Sequence, residues 1–285
     1  MILLLITTLT GICSFNKEYS YEFTNQYGEV IKMWGYGIYA HDSYFKASIF
    51  IGTDVTILFF VLPLYIITFV KTLKNQSIEN YVSSFGLLST LFYYSTSMAF
   101  CVTYNHLHLI YIALFSLCFF IVFLLLLKLS ALGAKEEKVC KFNFTIGMKL
   151  FLFITSIALF VAWLPDIINS LINNTSLNLI EVYTTEITYV DDMGIISPLM
   201  FITYFLVKKE KFIGYVLLRM ILKLCMCIGV ILPMQTLFQF LAGISAPIPT
   251  LVTKVLIFVV MAVFATYFDN RLKKETKYIS ETSQI

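Results

Sequence analysis

The chain has 285 residues, of which 59% are hydrophobic and 13% charged, and its mean hydropathy of +0.84 lies far above that of soluble domains. The net charge of +3 gives no signal of a nucleic-acid partner. Of the six cysteines, Cys118, Cys225 and Cys227 lie inside predicted spans and Cys101 lies near a span end, which argues against a disulfide framework and favours packing roles. Composition therefore predicts an integral membrane protein and argues against a nucleic-acid-binding one.

Residues 1–13, MILLLITTLTGIC, form the first apolar run. This run is short compared with the about 20 residues that are needed to cross a hydrocarbon core. It also lacks the basic flank of a standard signal peptide. Three alternatives stay open for it: a cleaved leader, a short anchor or an eighth helix.

Residues 14–48 precede the first full span and contain two alternating, aromatic-rich stretches, YSYEF and EVIKMWGYGIY, with the turn sequence NQYG between them. The pattern predicts a small extracytoplasmic β-hairpin. A lone hairpin is marginal in water, so we expect it to pack on the helix ends as a lid or plug. In the alternative interpretation its Tyr and Trp side chains only anchor at the lipid headgroups.

Seven longer apolar runs follow, and each is long enough to cross a bilayer as a helix. They predict an all-α fold, a polytopic transmembrane bundle over residues 49–268, with a polar cytoplasmic tail over residues 269–285. Prolines and glycines within three of the spans predict kinks, which also occur in ordinary membrane helices. The predicted spans are 49–70, 80–102, 108–130, 146–165, 183–207, 213–237 and 249–268.

Lys and Arg fall almost entirely in alternate loops, which sets the predicted orientation, because positively charged loops stay in the cytoplasm. The loops 103–108, 166–182 and 239–249 contain no Lys or Arg. We therefore predict that the hairpin lies outside and the C-terminus inside. The basic loops carry Lys71 and Lys74; Lys128, Lys135, Lys138, Lys141 and Lys149; Lys208, Lys209 and Lys211; and Arg271, Lys273, Lys274 and Lys277.

Polar side chains within the spans concentrate in their outer halves and predict an outward-facing polar cavity, because ionisable groups in a membrane tend to face the bundle interior or water. Thr184, Thr188 and Asp192 follow i, i+4, i+8 spacing and are predicted to share one helix face. In a bundle closed in sequence order, Asp54 and Lys254 would be neighbours and could pair. The candidate cavity residues are Asp54, Thr184, Glu186, Thr188, Asp192, Gln235 and Lys254.

A less specific interpretation competes with the cavity, since groups near span ends can extend to water. An Asp–Lys pair can also serve only to fix the helix register. Arg219 and Lys223 share a helix face near the cytoplasmic start of the sixth span. We expect them to reach the inner headgroups, or otherwise to face an anionic lipid or substrate.

Three stretches resemble a family of bacterial polytopic membrane proteins to which no function is attached. They are GIYAHDSYFKASIFIGTD, EVYTTEITYVDDMGIISPLMF and GVILPMQTLFQFLAGISAPIPTLVTK, and the similarity covers about residues 28 to 268. The resemblance implies a bacterial cytoplasmic membrane, and it implies no activity, ligand or site residue.

Two function classes remain after these observations. The first binds or transports a small polar solute or ion in the outer cavity, with Asp54 and Asp192 as cation or proton ligands. The second is a membrane sensor or accessory subunit whose basic cytoplasmic loops contact a protein partner. A membrane-embedded enzyme comes third, because no catalytic motif is recognisable. His41, His106 and His108 alone do not make a metal site, so we predict no metal and no cofactor.

Overall fold

The computed structural model describes residues 1–133, 142–244 and 255–282, with the side chains of the last helix described as far as residue 275. This part of the chain is mostly helical, with one two-stranded antiparallel sheet. The strands are β1, Tyr21–Thr24, and β2, Val30–Met33. The helices are α1, Ile2–Cys13; α2, Tyr44–Lys74; α3, Ile78–Phe100; α4, His108–Gly133; α5, Ile146–Asn173; α6, Ile187–Lys208; α7, Phe212–Leu241; and α8, Ile257–Thr282.

Five helices in the described part of the chain, α2, α4, α5, α6 and α7, are long and apolar enough to cross a membrane. The protein is therefore a multi-pass membrane protein. Helix α1 is apolar but has only 12 residues, and at 1.5 Å per residue it is shorter than a hydrocarbon core of about 30 Å.

Hydroxyl side chains begin several of the helices. Ser43, Ser77 and Thr145 accept hydrogen bonds from the backbone N–H groups three residues later, as is usual at helix N-termini. Helix α2 consequently starts at Tyr44, five residues before the predicted span at 49.

Helices α2 and α6 each contain a π-helical turn, at Ile57–Val61 and Val190–Ile196. Pro63 and Pro198 each lie two residues after the end of one of these turns. Proline has no N–H to donate to the carbonyl four residues before it, so the regular hydrogen-bond ladder is interrupted there. The helix breakers in these two spans therefore coincide with widened turns.

The predicted hairpin is confirmed in a shorter form. Strands β1 and β2 pair from Tyr21–Met33 to Thr24–Val30. At the turn, the Asn25 side chain accepts hydrogen bonds from the backbone N–H of Tyr27 and Glu29, and Gly28 has a φ of 81° that suits glycine. The connection NQYG thus forms the turn that its residues predict.

Helix α7 lies in the centre of the bundle, packed against α2, α3, α4, α6 and α8. The helices therefore do not form a ring closed in sequence order. Glycines explain two close approaches: a Cβ on Gly52 of α2 would lie 2.7 Å from the Gln235 Cα, and one on Gly229 would lie 2.1 Å from the Ala262 Cβ. Small residues at such crossings allow helices in membranes to approach closely.

A polar tail was expected over residues 269–285, but residues 269–282 belong to the last helix. Helix α8 continues to Thr282, and Asp269 is buried in the bundle. Asp269 is buried because it pairs with Arg219 and Lys223 of α7. The charge pattern of the tail alone does not reveal these partners.

Candidate functional site

The carboxylate of Asp54 is fully buried between four segments at the hairpin end of the bundle. Its two oxygens accept hydrogen bonds from the hydroxyls of Tyr39, at 2.6 Å, and Tyr94, at 2.5 Å. Gly11 of α1 contacts the same carboxylate so closely that a Cβ there would overlap it. Both oxygens of Asp54 therefore have tyrosine partners, which the sequence analysis did not identify, since nothing in the spacing links Tyr39 or Tyr94 to Asp54.

Lys254, the predicted partner of Asp54, lies outside the described residues, so their pairing stays a prediction. Gln235, another candidate, donates a hydrogen bond to the Thr53 hydroxyl at 2.8 Å across the α2–α7 contact. This bond joins the first and sixth predicted spans beside Asp54.

Asp42, just before α2, connects three segments at the hairpin end. One of its oxygens accepts hydrogen bonds from the Thr103 backbone N–H at 2.9 Å and the Tyr183 hydroxyl at 3.1 Å. The other oxygen, Oδ2, is buried and has no hydrogen-bond partner in the described part of the chain. Burial raises the pKa of Asp42 from 3.8 to about 7, and the hydrogen bonds oppose this rise.

A buried ion pair lies between α2 and the start of α6. The Lys46 ammonium is 2.6 Å from a carboxylate oxygen of Glu186, and both residues are 8% exposed. Glu186 was predicted as a cavity residue, but Lys46 was placed in the outer segment before the first span. Because α2 starts earlier than predicted, Lys46 lies in its first turn and faces inward.

Asp191 and Asp192 lie in the π-helical turn of α6 and are both buried. Asp192 accepts hydrogen bonds from the Trp163 indole N–H at 2.9 Å and the Tyr93 hydroxyl at 3.4 Å. Asp191 Oδ2 is buried without a hydrogen-bond partner among the residues described. Trp163 and Tyr93 are partners that the sequence analysis missed, because they come from α5 and α3.

The predicted common face of Thr184, Thr188 and Asp192 is wrong for Thr184. Helix α6 begins at Ile187, so Thr184 precedes it and is exposed. Thr188 is half-buried in the first turn. The i, i+4, i+8 rule applies only within a regular α-helix, and here the helix starts late and then widens into a π turn.

Several of these side chains converge, and we refer to Asp42, Glu186, Asp191 and Asp192 as the acidic group. Tyr93 is within electrostatic range of Glu186, Asp191 and Asp192. The side chains within electrostatic range of the Cys101 thiol are those of Asp42, Lys46, Glu186 and Asp191. Lys46 is thus a cation paired with one carboxyl of this group, Glu186, and it is within electrostatic range of Glu181 as well. Among the described residues, no three His, Cys, Asp or Glu side chains are placed to hold a metal ion together, so a cation at the acidic group would contact at most two of its carboxyls.

The hairpin packs over the loop at residues 181–183, which precedes Glu186 of the acidic group. Asn25 at the hairpin turn donates a hydrogen bond to the Glu181 carbonyl at 2.8 Å, and Gln26 donates one to the Tyr183 carbonyl at 3.4 Å. After the hairpin, Trp34 is fully buried, and its indole N–H donates to the Ser14 carbonyl at 2.7 Å. Trp34 is therefore a packing residue and not a headgroup anchor.

A second polar cluster, the arginine cluster, lies at the opposite end of α7. Arg219 is fully buried and is bound by Glu79, by Asp269 at 2.5 Å and by the Tyr215 hydroxyl at 2.7 Å. Its two terminal nitrogens donate to both oxygens of Glu79 at 2.8 and 2.9 Å. The Lys223 ammonium is 2.8 Å from Asp269.

The expectation that Arg219 and Lys223 reach the headgroups is therefore wrong. Their partners come from α3 and α8, which are distant in sequence, so the spacing within α7 gives no sign of them. The arginine cluster contains two cations and two carboxylates and joins three helices by balanced charges.

Comparisons with known proteins add no relative: no family model, no curated protein and no solved structure matches the chain. The site must therefore be interpreted from its own geometry.

The stability of the protein should depend on pH through Asp42. Because the folded-state pKa of about 7 exceeds the ordinary 3.8, the folded protein binds the proton of the Asp42 carboxyl more tightly than the unfolded protein does. The free energy of unfolding therefore falls as pH rises from about 4 through 7. The loss is at most about 4 kcal/mol, at about 1.4 kcal/mol per pKa unit. The Asp42→Asn variant has no carboxyl to titrate at this position, so this pH-dependent part of the stability disappears. Its amide oxygen can still accept the hydrogen bonds from Thr103 and Tyr183.

Thermal unfolding in detergent at pH 5 and pH 8 checks this. The melting temperature of the wild type should fall more between the two pH values than that of Asp42→Asn, and the exposed-site control Glu22→Gln should behave as the wild type. Parallel pH dependences in the wild type and Asp42→Asn would contradict the assignment.

Proposed function

We propose that the protein binds a small cation or another small polar solute at the acidic group and moves it across the membrane. The observation that supports this most is the pair of buried carboxylate oxygens, Asp42 Oδ2 and Asp191 Oδ2, without hydrogen-bond partners in the described part of the chain. Buried polar atoms normally have partners, and an unpaired one calls for an explanation such as a bound ion or water. A cation or a proton would satisfy an acceptor-only carboxylate.

The charge balance favours a cation over an anion. The acidic group has four carboxyls, and the Lys46 ammonium pairs with one of them, Glu186, at 2.6 Å. Asp191 and Asp192 are adjacent and repel each other when both are ionised, and either a bound cation or protonation relieves this repulsion. A solute with a positive charge is therefore the substrate class that we propose.

The proposal includes a topology of seven spans in a bacterial cytoplasmic membrane, with the hairpin outside and the C-terminus in the cytoplasm. Its support is the distribution of Lys and Arg among the loops. Helix α3 has 23 residues and is long enough to cross a core of about 30 Å although it is rich in Ser, Thr and Tyr. The acidic group would then face the outside, beneath the hairpin, and α1 would be a short eighth helix.

A second candidate function is a membrane sensor or accessory subunit. The hydrogen bonds of Asn25 and Gln26 to the loop at 181–183 favour it, because a ligand that displaced the hairpin would also disturb the acidic group beneath. In that case the basic cytoplasmic loops would contact a partner protein. A membrane-embedded enzyme remains the third alternative.

Cation flux into proteoliposomes tests the transport proposal. With an imposed membrane potential, vesicles that contain the protein should take up protons, followed with a pH-sensitive dye, or ²²Na⁺, faster than empty vesicles. Asp191→Asn and Asp192→Asn should reduce this flux about tenfold or more, because each removes a charged ligand that is worth at least about 1.4 kcal/mol in the site.

Glu22→Gln, which removes an exposed carboxylate from β1, should leave the flux unchanged. Flux equal to that of empty vesicles for both ions would contradict the transport proposal. A partner that co-purifies in stoichiometric amount would then favour the sensor or accessory subunit.

A further inference from the structure

A cavity of about 290 Å³ lies at the arginine-cluster end of the bundle, where α5 begins and α6 ends. It is separate from the acidic group and from the function proposed above. We refer to it as the basal cavity. Its lining residues are Phe142, Asn143, Phe144, Lys149, Val207, Lys208 and Glu210.

Two ammonium groups distinguish this cavity. Lys149 lies in the first turn of α5 with its Nζ 5.5 Å from the centre of the Phe144 ring, and Lys208 ends α6. Neither lysine forms an ion pair within the residues that the structure describes. Glu210 is the one carboxylate among these lining residues, which together have a net charge of +1 when the three groups are ionised, and a carboxylate oxygen of Glu275 accepts a hydrogen bond from the Asn143 backbone N–H nearby.

The N-terminus of the 28-residue helix α5 adds partial positive charge at the same place. Asn143 can donate two hydrogen bonds from its amide. An anion with several acceptor oxygens, such as a phosphate group, fits this combination of donors and charge.

The surroundings of the cavity indicate where such a phosphate would come from. Ile146 and Leu150 on α5 and Phe205 on α6 are large apolar side chains that are 74%, 52% and 56% exposed. In a membrane protein such surfaces face lipid chains, and they lie within one or two turns of the two lysines. Basic pockets between membrane helices at the headgroup level are suited to anionic lipids.

We propose that the basal cavity binds the phosphate headgroup of an anionic membrane lipid, with Lys149 and Lys208 as its charged ligands and the apolar side chains beside it in contact with the acyl chains. Glu210 weakens this binding and limits its affinity.

Lipid binding to the detergent-purified full chain tests the proposal. Native mass spectrometry with added phosphatidylglycerol, phosphatidylcholine and inorganic phosphate separates the possible ligands. Phosphatidylglycerol should bind with discrete stoichiometry. Phosphatidylcholine should bind at least about tenfold more weakly because it has no net negative charge, and inorganic phosphate because it has no acyl chains to contact the apolar side chains.

The double variant Lys149→Gln/Lys208→Gln should lose about tenfold or more in affinity for phosphatidylglycerol. Glu210→Gln should bind this lipid more tightly than the wild type. The matched control is Lys71→Gln/Lys74→Gln, which removes two lysines from the last turn of α2 at the same end of the bundle. Melting temperatures near that of the wild type show that each variant is folded.

Three outcomes would overturn the proposal. An equal loss in the control variant would indicate diffuse attraction of anionic lipids to the basic loops. Equal binding of phosphatidylcholine would remove the role of charge. Inorganic phosphate that binds as tightly as the lipid would indicate a site for a soluble phosphate compound.

Discussion

Arg219→Met is expected to lower the free energy of unfolding by about 3–5 kcal/mol, which is the usual cost of removing one partner from a buried ion pair. The substitution leaves Glu79 and Asp269 without the guanidinium that binds both. Lys223 remains as the one cation of the arginine cluster. Thermal or chemical unfolding in detergent measures the loss.

Arg219→Lys should fall between the wild type and Arg219→Met, because an ammonium keeps the charge but cannot form the two parallel hydrogen bonds to Glu79. The matched control is Arg271→Met, since Arg271 forms a partly exposed ion pair with Glu275 one turn away, with side chains 36% and 27% exposed. Exposed pairs contribute little to stability, so the control should unfold like the wild type. A loss in Arg219→Met no larger than in Arg271→Met would show that Arg219 does not hold the helices together.

Lys46→Met is expected to destabilise the protein more than Glu186→Gln. Lys46 is paired with Glu186 and is within electrostatic range of Glu181, so its removal leaves two carboxylates without their cation, at a cost of about 3 kcal/mol or more. In Glu186→Gln the ammonium stays near the Glu181 carboxylate, and we expect a smaller loss. The double variant should be less destabilised than the sum of the two single variants, by about 1–3 kcal/mol.

Unfolding of the two single variants and the double variant at one pH, with the wild type, measures this coupling. Lys17→Met is the control, because Lys17 is an exposed lysine at the same end of the bundle. It should have little effect. Strictly additive losses, or equal losses in the two single variants, would contradict the assignment of Lys46 as the cation of this group.

The candidate site was predicted in part. Asp54, Glu186, Asp192 and Gln235 could be selected from the sequence because polar groups in apolar runs are conspicuous. Their actual partners, Tyr39, Tyr94, Lys46, Trp163 and Thr53, could not be selected. A Tyr, Trp or Thr in an apolar run is ordinary and does not stand out. Lys46 was assigned to the outer segment because the first span was predicted to begin at residue 49, whereas α2 begins at Tyr44.

The sequence by itself determined that the protein is a multi-pass helical membrane protein with a small hairpin before its first long helix. Hydropathy over about 20 residues and the alternation of short strands are local signals, and membranes allow few other structures for apolar runs. The N-caps and the turn at Asn25 and Gly28 are local in the same way.

Only the tertiary structure decided that α7 lies at the centre of the bundle, that Arg219 is neutralised by Glu79 and Asp269, and that Asp42 and Asp191 each keep an oxygen without a partner in the described part of the chain. Each of these facts depends on segments that are distant in sequence; the separation is 50 residues for Arg219 and Asp269 and 140 for Arg219 and Glu79. A charge pattern along one helix shows where a polar group must find a partner. Which partner it finds depends on how the helices pack, and small residues such as Gly52 and Gly229 allow α2 and α8 to approach α7 closely.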